Sequence, residues 1–281
     1  MSGDKLFLDT TIHIAAQIRS PRFQQKIRDR LATFGTLRTG LVVRKEFIHR
    51  LLKEAAYLYG KLQELGTFDD LQDHINRYPT TYKHQRNRKN ICLGLISKAH
   101  GRTNEDRTDL LSGQLFLLLT AGLTLFDTSV DETVATSSCG CATEEISQRT
   151  NRKRKVEFSV GAKECNELPA GRCGIVNFLI ENVAARAAIL THLRSLPPDV
   201  LTAELRNGLG FLEAVEQDPA SAMDLSPCLK VGDILIAIES STTDSLYTMN
   251  HLESRPLCKA LGQTLIVRPI QPERDDLIES P

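Results

Sequence analysis

The sequence predicts an α/β fold built on a parallel sheet. Short apolar runs typical of strands alternate with longer stretches in which apolar residues recur every three or four positions, which is the helical period. The alternation is clearest in the last seventy residues, and no internal repeat or long low-complexity tract interrupts it. A chain of 281 residues with 41% apolar content is also long enough to bury a large core.

The first strand covers Lys5 to Leu8, and a polar, arginine-rich helix follows it. A short segment around Thr36–Arg38 comes next. Val42–Leu65 is predicted as a long amphipathic helix, because its apolar residues are spaced by three and four. Asp69–Arg77 is predicted as another helix, which ends before Pro79 because proline restricts the residue that precedes it.

A basic segment follows, in which eight Lys or Arg residues lie between Arg77 and Arg107 against two acids, Glu105 and Asp106. Its central cations, with Tyr78 and Tyr82 beside them, suit the neutralisation of phosphates and the stacking of bases. The alternative is a solvated helix face. The candidate nucleic-acid-binding residues are Lys83, Arg86, Arg88 and Lys89.

Residues 101–173 are predicted to form an insertion between two parts of one core, 1–100 and 174–281. Within it, Asp109–Thr120 is expected to be a buried helix, and Leu123–Thr136 is expected to pair with Val156–Val160 as a hairpin. Four thiols in or beside the tip match the number that a structural Zn²⁺ site requires, although scattered buried thiols are the alternative. They are Cys139, Cys141, Cys165 and Cys173, and the basic run Arg152–Lys155 lies between them.

After the insertion, helices are predicted at Ile175–Arg194 and Asp199–Gln217, separated by two prolines. A short helix is expected near Pro256–Leu261. Strands are expected at Leu246–Asn250 and Thr264–Val267, whereas the apolar run after Asp233 fits a strand or a buried helix equally well.

Composition restricts the location and the partners. The formal net charge is zero, so a nucleic-acid surface would have to be a local patch. The apolar run Leu110–Phe126 is broken by polar residues and is predicted to be buried in the protein, with no membrane span. No secretory signal is recognised at the start, and seven cysteines are an odd number for a disulfide framework. We therefore predict a cytoplasmic protein with reduced thiols or a metal site.

Four stretches resemble, in order, the motifs of PIN domains, metal-dependent nucleases that include the VapC-type toxins. The first is Leu6-Phe-Leu-Asp9-Thr-Thr-Ile, an apolar strand that ends on a carboxylate. The others centre on Glu46 before an aromatic residue, Asp233 before an apolar run, and Asn250 in Thr-x-Asn. The family's usual length is about half of this chain, so the resemblance does not cover the middle.

The resemblance implies a Rossmann-like three-layer α/β/α sandwich and a catalytic set of Asp9, Glu46, Asp233 and Asn250. Clustered carboxylates repel one another unless a hard cation such as Mg²⁺ or Mn²⁺ neutralises them, so the same acids are the predicted metal ligands. Asp9 and Asp233 are the preferred ligands, directly or through water. Glu46 would orient water, and Asn250 would complete the shell or hold substrate.

Each residue has an alternative structural role. Asp9 and Asp233 are suited to cap helices, Glu46 can pair with Arg50 one turn on, and Asn commonly occupies a turn. Further acids could substitute for Asn250, and a rival first motif resembles the Asp9 motif. The substitutes are Glu253, Asp244 and Glu239, and the rival acids are Asp127 and Asp131.

The function implied is a Mg²⁺- or Mn²⁺-dependent endoribonuclease of the toxin or defence kind, which hydrolyses phosphodiester bonds. RNA is then the partner, an antitoxin or another regulator and a homo-oligomer remain open, and no membrane is involved. The alternatives are a nuclease-like module that binds nucleic acid or a protein without cutting, and a purely structural subunit. Acids held far apart, or a lysine or arginine held permanently among them, would overturn the nuclease interpretation.

Overall fold

The computed structural model describes residues 4–79, 83–97, 102–134, 145–150, 156–161, 174–222 and 231–267. Within them the chain is an α/β protein with a five-stranded parallel sheet flanked by helices, plus a small antiparallel hairpin. The strands are β1 (Lys5–Leu8), β2 (Thr36–Gly40), β3 (Glu132–Val134), β4 (Glu145–Thr150), β5 (Val156–Gly161), β6 (Ser245–Tyr247) and β7 (Thr264–Ile266).

Helices form most of the remaining regular structure in the described residues. They are α1 (Thr10–Ile18), α2 (Pro21–Leu31), α3 (Leu41–Phe47), α4 (Lys53–Leu65), α5 (Phe68–Asn76), α6 (Lys83–Ile96), α7 (Asn104–Thr128), α8 (Gly174–Glu181), α9 (Val183–Ser195), α10 (Ala203–Gln217), α11 (Pro219–Ala222), α12 (Gly232–Ser240) and α13 (His251–Leu261). A π-helical turn, Ile48–Leu52, joins α3 to α4, so the predicted long helix forms with one local change of winding.

The strand order is β3-β2-β1-β6-β7, and every neighbouring pair in this sheet is parallel. The chain leaves β1 toward β2 and β3 on one side and later returns to β6 and β7 on the other. The direction of winding therefore reverses beside β1. In open parallel sheets, this reversal opens a crevice at the carboxyl ends of the strands, where ligands bind.

Both faces of β1 are covered by apolar side chains. Phe7 belongs to a large cluster with residues of α3, the π-turn and α4, whereas Leu6 and Leu8 pack with Ile12 and Ile27 of α1 and α2. This division follows from the strand geometry, since successive side chains point to opposite faces. Leu6, Phe7 and Leu8 of the central strand are thus buried, and its carboxyl end is held in a fixed position.

His13 of α1 joins the sheet to α7 as a buried neutral ring. Thr39 donates its hydroxyl to the Leu8 carbonyl, so His13 Nε2 must be the donor to Thr39 Oγ1, at 3.2 Å. The His13 ring also packs against the ring of Phe126, with 4.1 Å between the two ring centroids. Burial lowers the pKa of His13 from 6.5 to about 3.

This pKa predicts that acid destabilises the protein through His13. Between pH 6.5 and about 3 the unfolded chain binds a proton at this residue that the folded chain does not, so its contribution to stability is complete above pH 6.5 and is lost as the pH falls. The slope approaches about 1.4 kcal/mol per pH unit. Urea unfolding at pH 7 and pH 5 should show the loss in the wild type, a smaller loss in His13→Gln, and an unchanged loss in a variant of the exposed His251, His251→Gln.

The structure corrects the predicted hairpin. Leu123–Thr128 is the end of α7, and β3 joins the main sheet parallel to β2. The hairpin forms instead from β4 and β5, with Ile146 opposite Val160. The prediction was wrong because a short apolar run after a helix fits either a strand or continued helix, and only packing decides between them.

The described part of the predicted insertion is closely joined to the core. α7 contributes Leu111, Leu115, Leu119 and Phe126 to the large apolar cluster, and β3 is an edge of the sheet. Both elements lie within 101–173, so that range contains core elements as well as the hairpin.

α7 is long and apolar enough to cross a membrane by length and composition, and a third of its most apolar window is buried inside the protein.

The predicted helix Ile175–Arg194 is in fact two helices, α8 and α9, bent by 86° at Asn182. The run after Asp233, which the sequence left undecided, is the helix α12.

Candidate functional site

Polar side chains from four elements meet at the carboxyl edge of β1 and β6. Asp9 directly follows β1, and Asn250 precedes α13, two residues after Thr248. Asp233 lies in the first turn of α12, and its Oδ1 accepts a hydrogen bond from Asn250 Nδ2 at 3.2 Å. Glu46 approaches from α3. The four residues of the predicted catalytic set thus come from opposite ends of the chain to one crevice.

Asp9 is held by hydroxyl groups. Its Oδ2 accepts hydrogen bonds from Thr248 Oγ1 at 2.6 Å, Thr11 Oγ1 at 2.7 Å and the Thr11 amide at 3.4 Å. The last bond caps α1, as the structural alternative for Asp9 proposed. All three bonds fall on Oδ2, so capping leaves Oδ1 of this buried carboxylate as the atom for a ligand.

Thr248 is expected to set both the stability and the orientation of Asp9. Its side chain is fully buried, and Thr248→Val keeps the shape but removes the 2.6 Å donor. A buried carboxylate that loses one donor is destabilised, by about 1–3 kcal/mol. Denaturant unfolding should show this loss for Thr248→Val and a smaller one for Thr248→Ser, which retains the hydroxyl. Equal losses in the two variants would contradict the role of the hydrogen bond.

Glu46 is fixed by contacts on both carboxylate oxygens. Thr10 donates its hydroxyl to Oε2 at 2.9 Å, and Arg50 donates to Oε1 at 3.2 Å. The Arg50 pair is the one that the helical spacing predicted as the structural alternative for Glu46. Gly232 lies against the same carboxylate, because a Cβ atom placed there would be 3.0 Å from Oε1. Glycine at this position therefore lets α12 bring Asp233 close to Glu46.

The ionisation of Asp233 reports how crowded the site is with negative charge. Its pKa is raised from 3.8 to about 7, first by burial and then by the carboxylates of Glu46, Asp9 and Glu253, against the opposing effect of Arg50. Strongly perturbed acids in a cleft are typical of functional sites. Asp233 therefore keeps its proton to a higher pH than an ordinary aspartate.

Arg50 is the cation of this cluster. Burial alone would lower its pKa, but the carboxylates of Glu46, Asp9, Asp233 and Glu253 together hold the pKa above its ordinary value. One guanidinium thus faces four acids. A permanently held arginine among the acids is the arrangement that was expected to overturn the nuclease interpretation, and Arg50 pairs there with Glu46, one of the proposed metal ligands.

The donor set suits a hard divalent ion only with water in the shell. Among the described residues, no group of three or more His, Cys, Asp or Glu side chains is arranged to hold a metal ion directly. Mg²⁺ usually binds one or two carboxylates and retains several waters. Asp9 and Asp233 fit that pattern, because both are carboxylate oxygen donors and they lie close enough for Asp9 to raise the pKa of Asp233.

Of the remaining candidate acids, only Glu253 is shown near the site. Glu253, in the first turn of α13, lies close enough to affect Asp233 and Arg50. Asp244 is at the opposite edge, where its Oδ2 accepts from the Lys5 amide at 2.7 Å. Other acids have structural partners or positions: Glu239 lies against Gly40, Asp127 binds Arg44, and Asp131 accepts from the Leu37 amide.

The basic segment forms α6, and its arginines differ in role. Arg88 is paired with Glu54 at 2.6 Å and lies 3.4 Å over the Tyr57 ring, so it stabilises the packing of α6 on α4. Its role as a nucleic-acid contact stays a prediction. Arg86 and Lys89 are exposed on the same helix. Lys83 begins α6, and Tyr82 lies outside the described residues.

The predicted zinc ligands also lie outside the described residues, as does the basic run between them. They are Cys139, Cys141, Cys165, Cys173 and Arg152–Lys155. Cys92 and Cys258 are buried free thiols. Burial raises the pKa of each to about 12, which keeps both protonated and unreactive.

Sequence reasoning missed the residues that orient the acids. Thr10, Thr11 and Thr248 donate to Glu46 or Asp9, and Gly232 provides the close approach of α12. A local signal existed for Thr11, since a hydroxyl shortly after a strand-end acid can bond it, whereas Thr10 and Thr248 bond acids distant in sequence. No local signal places Gly232 beside Glu46, which is distant in sequence.

Fold and site together define an α/β protein with an acidic crevice at the reversal of a parallel sheet. Comparisons of the chain with protein-family models, with curated proteins and with solved structures find no match. The residues of the crevice are therefore the basis for the functional proposal.

Proposed function

We propose that the chain is a divalent-metal-dependent endonuclease with a PIN-like, three-layer α/β/α core. The observation that carries the proposal is the convergence of Asp9, Glu46 and Asp233 at the carboxyl edge of β1 and β6, with Asn250 bonded to Asp233. Acids that lie close enough to raise one another's pKa lower the stability of the folded state, which is an unfavourable arrangement for a purely structural region. Its cost is relieved by a doubly charged ion.

The side chains divide the work of phosphodiester hydrolysis. A bound Mg²⁺ or Mn²⁺ would polarise a water and neutralise charge on the phosphate oxygens. Asp9 and Asp233 supply the carboxylate oxygens that hold the ion, and the Thr248 hydroxyl keeps Asp9 in one orientation. Glu46, oriented by Thr10, accepts a hydrogen bond from the attacking water. Asn250 fixes Asp233 through its amide.

RNA is the substrate that the resemblance to PIN domains favours, in a toxin or defence setting in the cytoplasm. The two described free thiols agree with a reducing compartment. Exposed Arg86 and Lys89 are the cations of α6 that remain as phosphate contacts. A regulator such as an antitoxin and a homo-oligomer are part of the same hypothesis.

The test is cleavage of labelled single-stranded RNA and DNA by protein that has first been stripped of metal with a chelator. Product is expected on RNA after addition of Mn²⁺ or Mg²⁺, and none without added metal. Absence of product on either polymer at millimolar Mn²⁺, from folded protein, would reject the nuclease.

The pairing of Arg50 with Glu46 favours a second candidate, a nuclease-like module that binds nucleic acid without cutting it. Such a module would bind RNA with strong salt dependence and would release no product. Arg86→Ala would weaken that binding, whereas Asp233→Asn would leave it unchanged or strengthen it.

A further inference from the structure

We propose that Arg50 is the built-in counter-ion of the acid cluster, and that a divalent ion binds with full affinity only after the Arg50 guanidinium leaves Glu46. The inference rests on the proposed function, since it concerns how the same site takes up its metal. In this role Arg50 regulates metal binding and does not prevent it.

The contacts place Arg50 as a competitor for one ligand. Its guanidinium occupies Glu46 Oε1 at 3.2 Å while Thr10 occupies Oε2 at 2.9 Å, so the bonds to Glu46 use both of its oxygens. Among the described residues, no group of three or more His, Cys, Asp or Glu side chains is arranged to hold a metal ion. The salt bridge and direct metal ligation by Glu46 therefore exclude each other at Oε1.

The local helix geometry allows the guanidinium to move while its backbone stays fixed. Arg50 lies in the π-turn, whose apolar residues Ile48, Leu51 and Leu52 are buried in the core. The Arg50 side chain itself is 26% exposed, at the surface of the crevice. π-turns of this kind occur frequently at functional sites. Release thus needs only rotation of a long side chain toward solvent.

Electrostatics gives the direction of the effect. A fixed positive charge beside the acids repels an incoming dication, and a guanidinium bonded to a carboxylate must give up that bond. Removing the charge leaves four acids without their cation, and all four lie close enough to Arg50 to act on its charge. We expect Mn²⁺ to bind at least about tenfold more tightly without Arg50.

The experiment is a titration of the metal-stripped full chain with Mn²⁺ alone, followed by calorimetry or by the spectroscopic signal of free Mn²⁺. The variants are Arg50→Gln and Arg50→Met, the second of which retains the apolar stem in case the first folds poorly. The matched control is Arg44→Gln, which removes an arginine of the same long helix whose partner, Asp127, lies outside the acid cluster. Circular dichroism verifies that each variant is folded.

Tighter Mn²⁺ binding by both Arg50 variants, with Arg44→Gln equal to the wild type, supports the counter-ion role. Equal or weaker binding by the folded Arg50 variants, when the wild type does bind, overturns the role and leaves the nuclease proposal standing. No binding by any folded variant at millimolar Mn²⁺ rejects both proposals. An increase of the same size in Arg44→Gln would show a general charge effect and would also overturn the role.

Discussion

Replacing Asp9 or Asp233 by asparagine is expected to reduce metal-dependent RNA cleavage by about 100-fold or more, with the fold retained. Each substitution removes a negative charge from the crevice while preserving the shape of the side chain, so it lowers metal affinity and the electrostatic stabilisation of the reaction. Loss of one preorganised electrostatic group typically has an effect of this size. Cleavage of labelled RNA under single-turnover conditions with Mn²⁺ measures the loss.

The matched control is Asp244→Asn. Asp244 lies beside β6 like the site, but at the opposite edge, where it bonds the Lys5 amide. This variant should cleave at the wild-type rate if the crevice is the site. Cleavage by Asp9→Asn and Asp233→Asn that matches the Asp244→Asn control would eliminate the crevice as the catalytic centre.

The same Asp233→Asn substitution is expected to stabilise the metal-free protein at pH 8, by about 2 kcal/mol. The folded-state pKa of Asp233 is raised from 3.8 to about 7, chiefly by burial. Between these values the folded protein holds a proton that the unfolded chain releases, so the contribution of Asp233 favours folding below pH 4 and is lost as the pH rises through 7. Above pH 7 an ionised Asp233 destabilises the folded state, and asparagine has no charge to bury.

Urea unfolding of chelated wild type and Asp233→Asn at pH 5 and pH 8 measures this effect. The stability gain of the variant should be larger at pH 8 than at pH 5. Addition of Mn²⁺ at pH 8 should stabilise the wild type more than the variant, because the ion binds the carboxylate that only the wild type has. A gain of equal size at both pH values would mean that the charge of Asp233 is not the cause.

Loss of cleavage together with a gain in stability would distinguish a functional carboxylate from a structural one. A helix cap or ion-pair residue stabilises the fold, so its removal lowers stability. A functional acid is retained at a cost to the folded state, because its charge is needed for the reaction. Asp233, buried among Glu46, Asp9 and Glu253, is expected to show the second behaviour.

Several elements of this fold could be predicted because their signals are local. The strand before Asp9, the long helix through Glu46 and the parallel α/β arrangement follow from the spacing of apolar residues, and the structure confirms them. The hairpin partner of Val156–Val160 could not be predicted in the same way. The end of α7 is apolar like a strand, and its helical state depends on packing against elements distant in sequence, such as α4.

By itself, the sequence determined that Asp9 would follow β1 and that Asn250 would follow β6, because the end of a parallel strand fixes which edge of the sheet the next residues reach. Tertiary structure alone decided what surrounds these residues. Arg50 lies close to the acids of the site, and Thr248 donates a hydrogen bond to Asp9. Gly232 allows α12 to approach Glu46, whereas Arg88 forms an ion pair with Glu54. The physical reason is that burial and charge interactions depend on distances in space, and residues more than two hundred positions apart acquire those distances only when the chain folds.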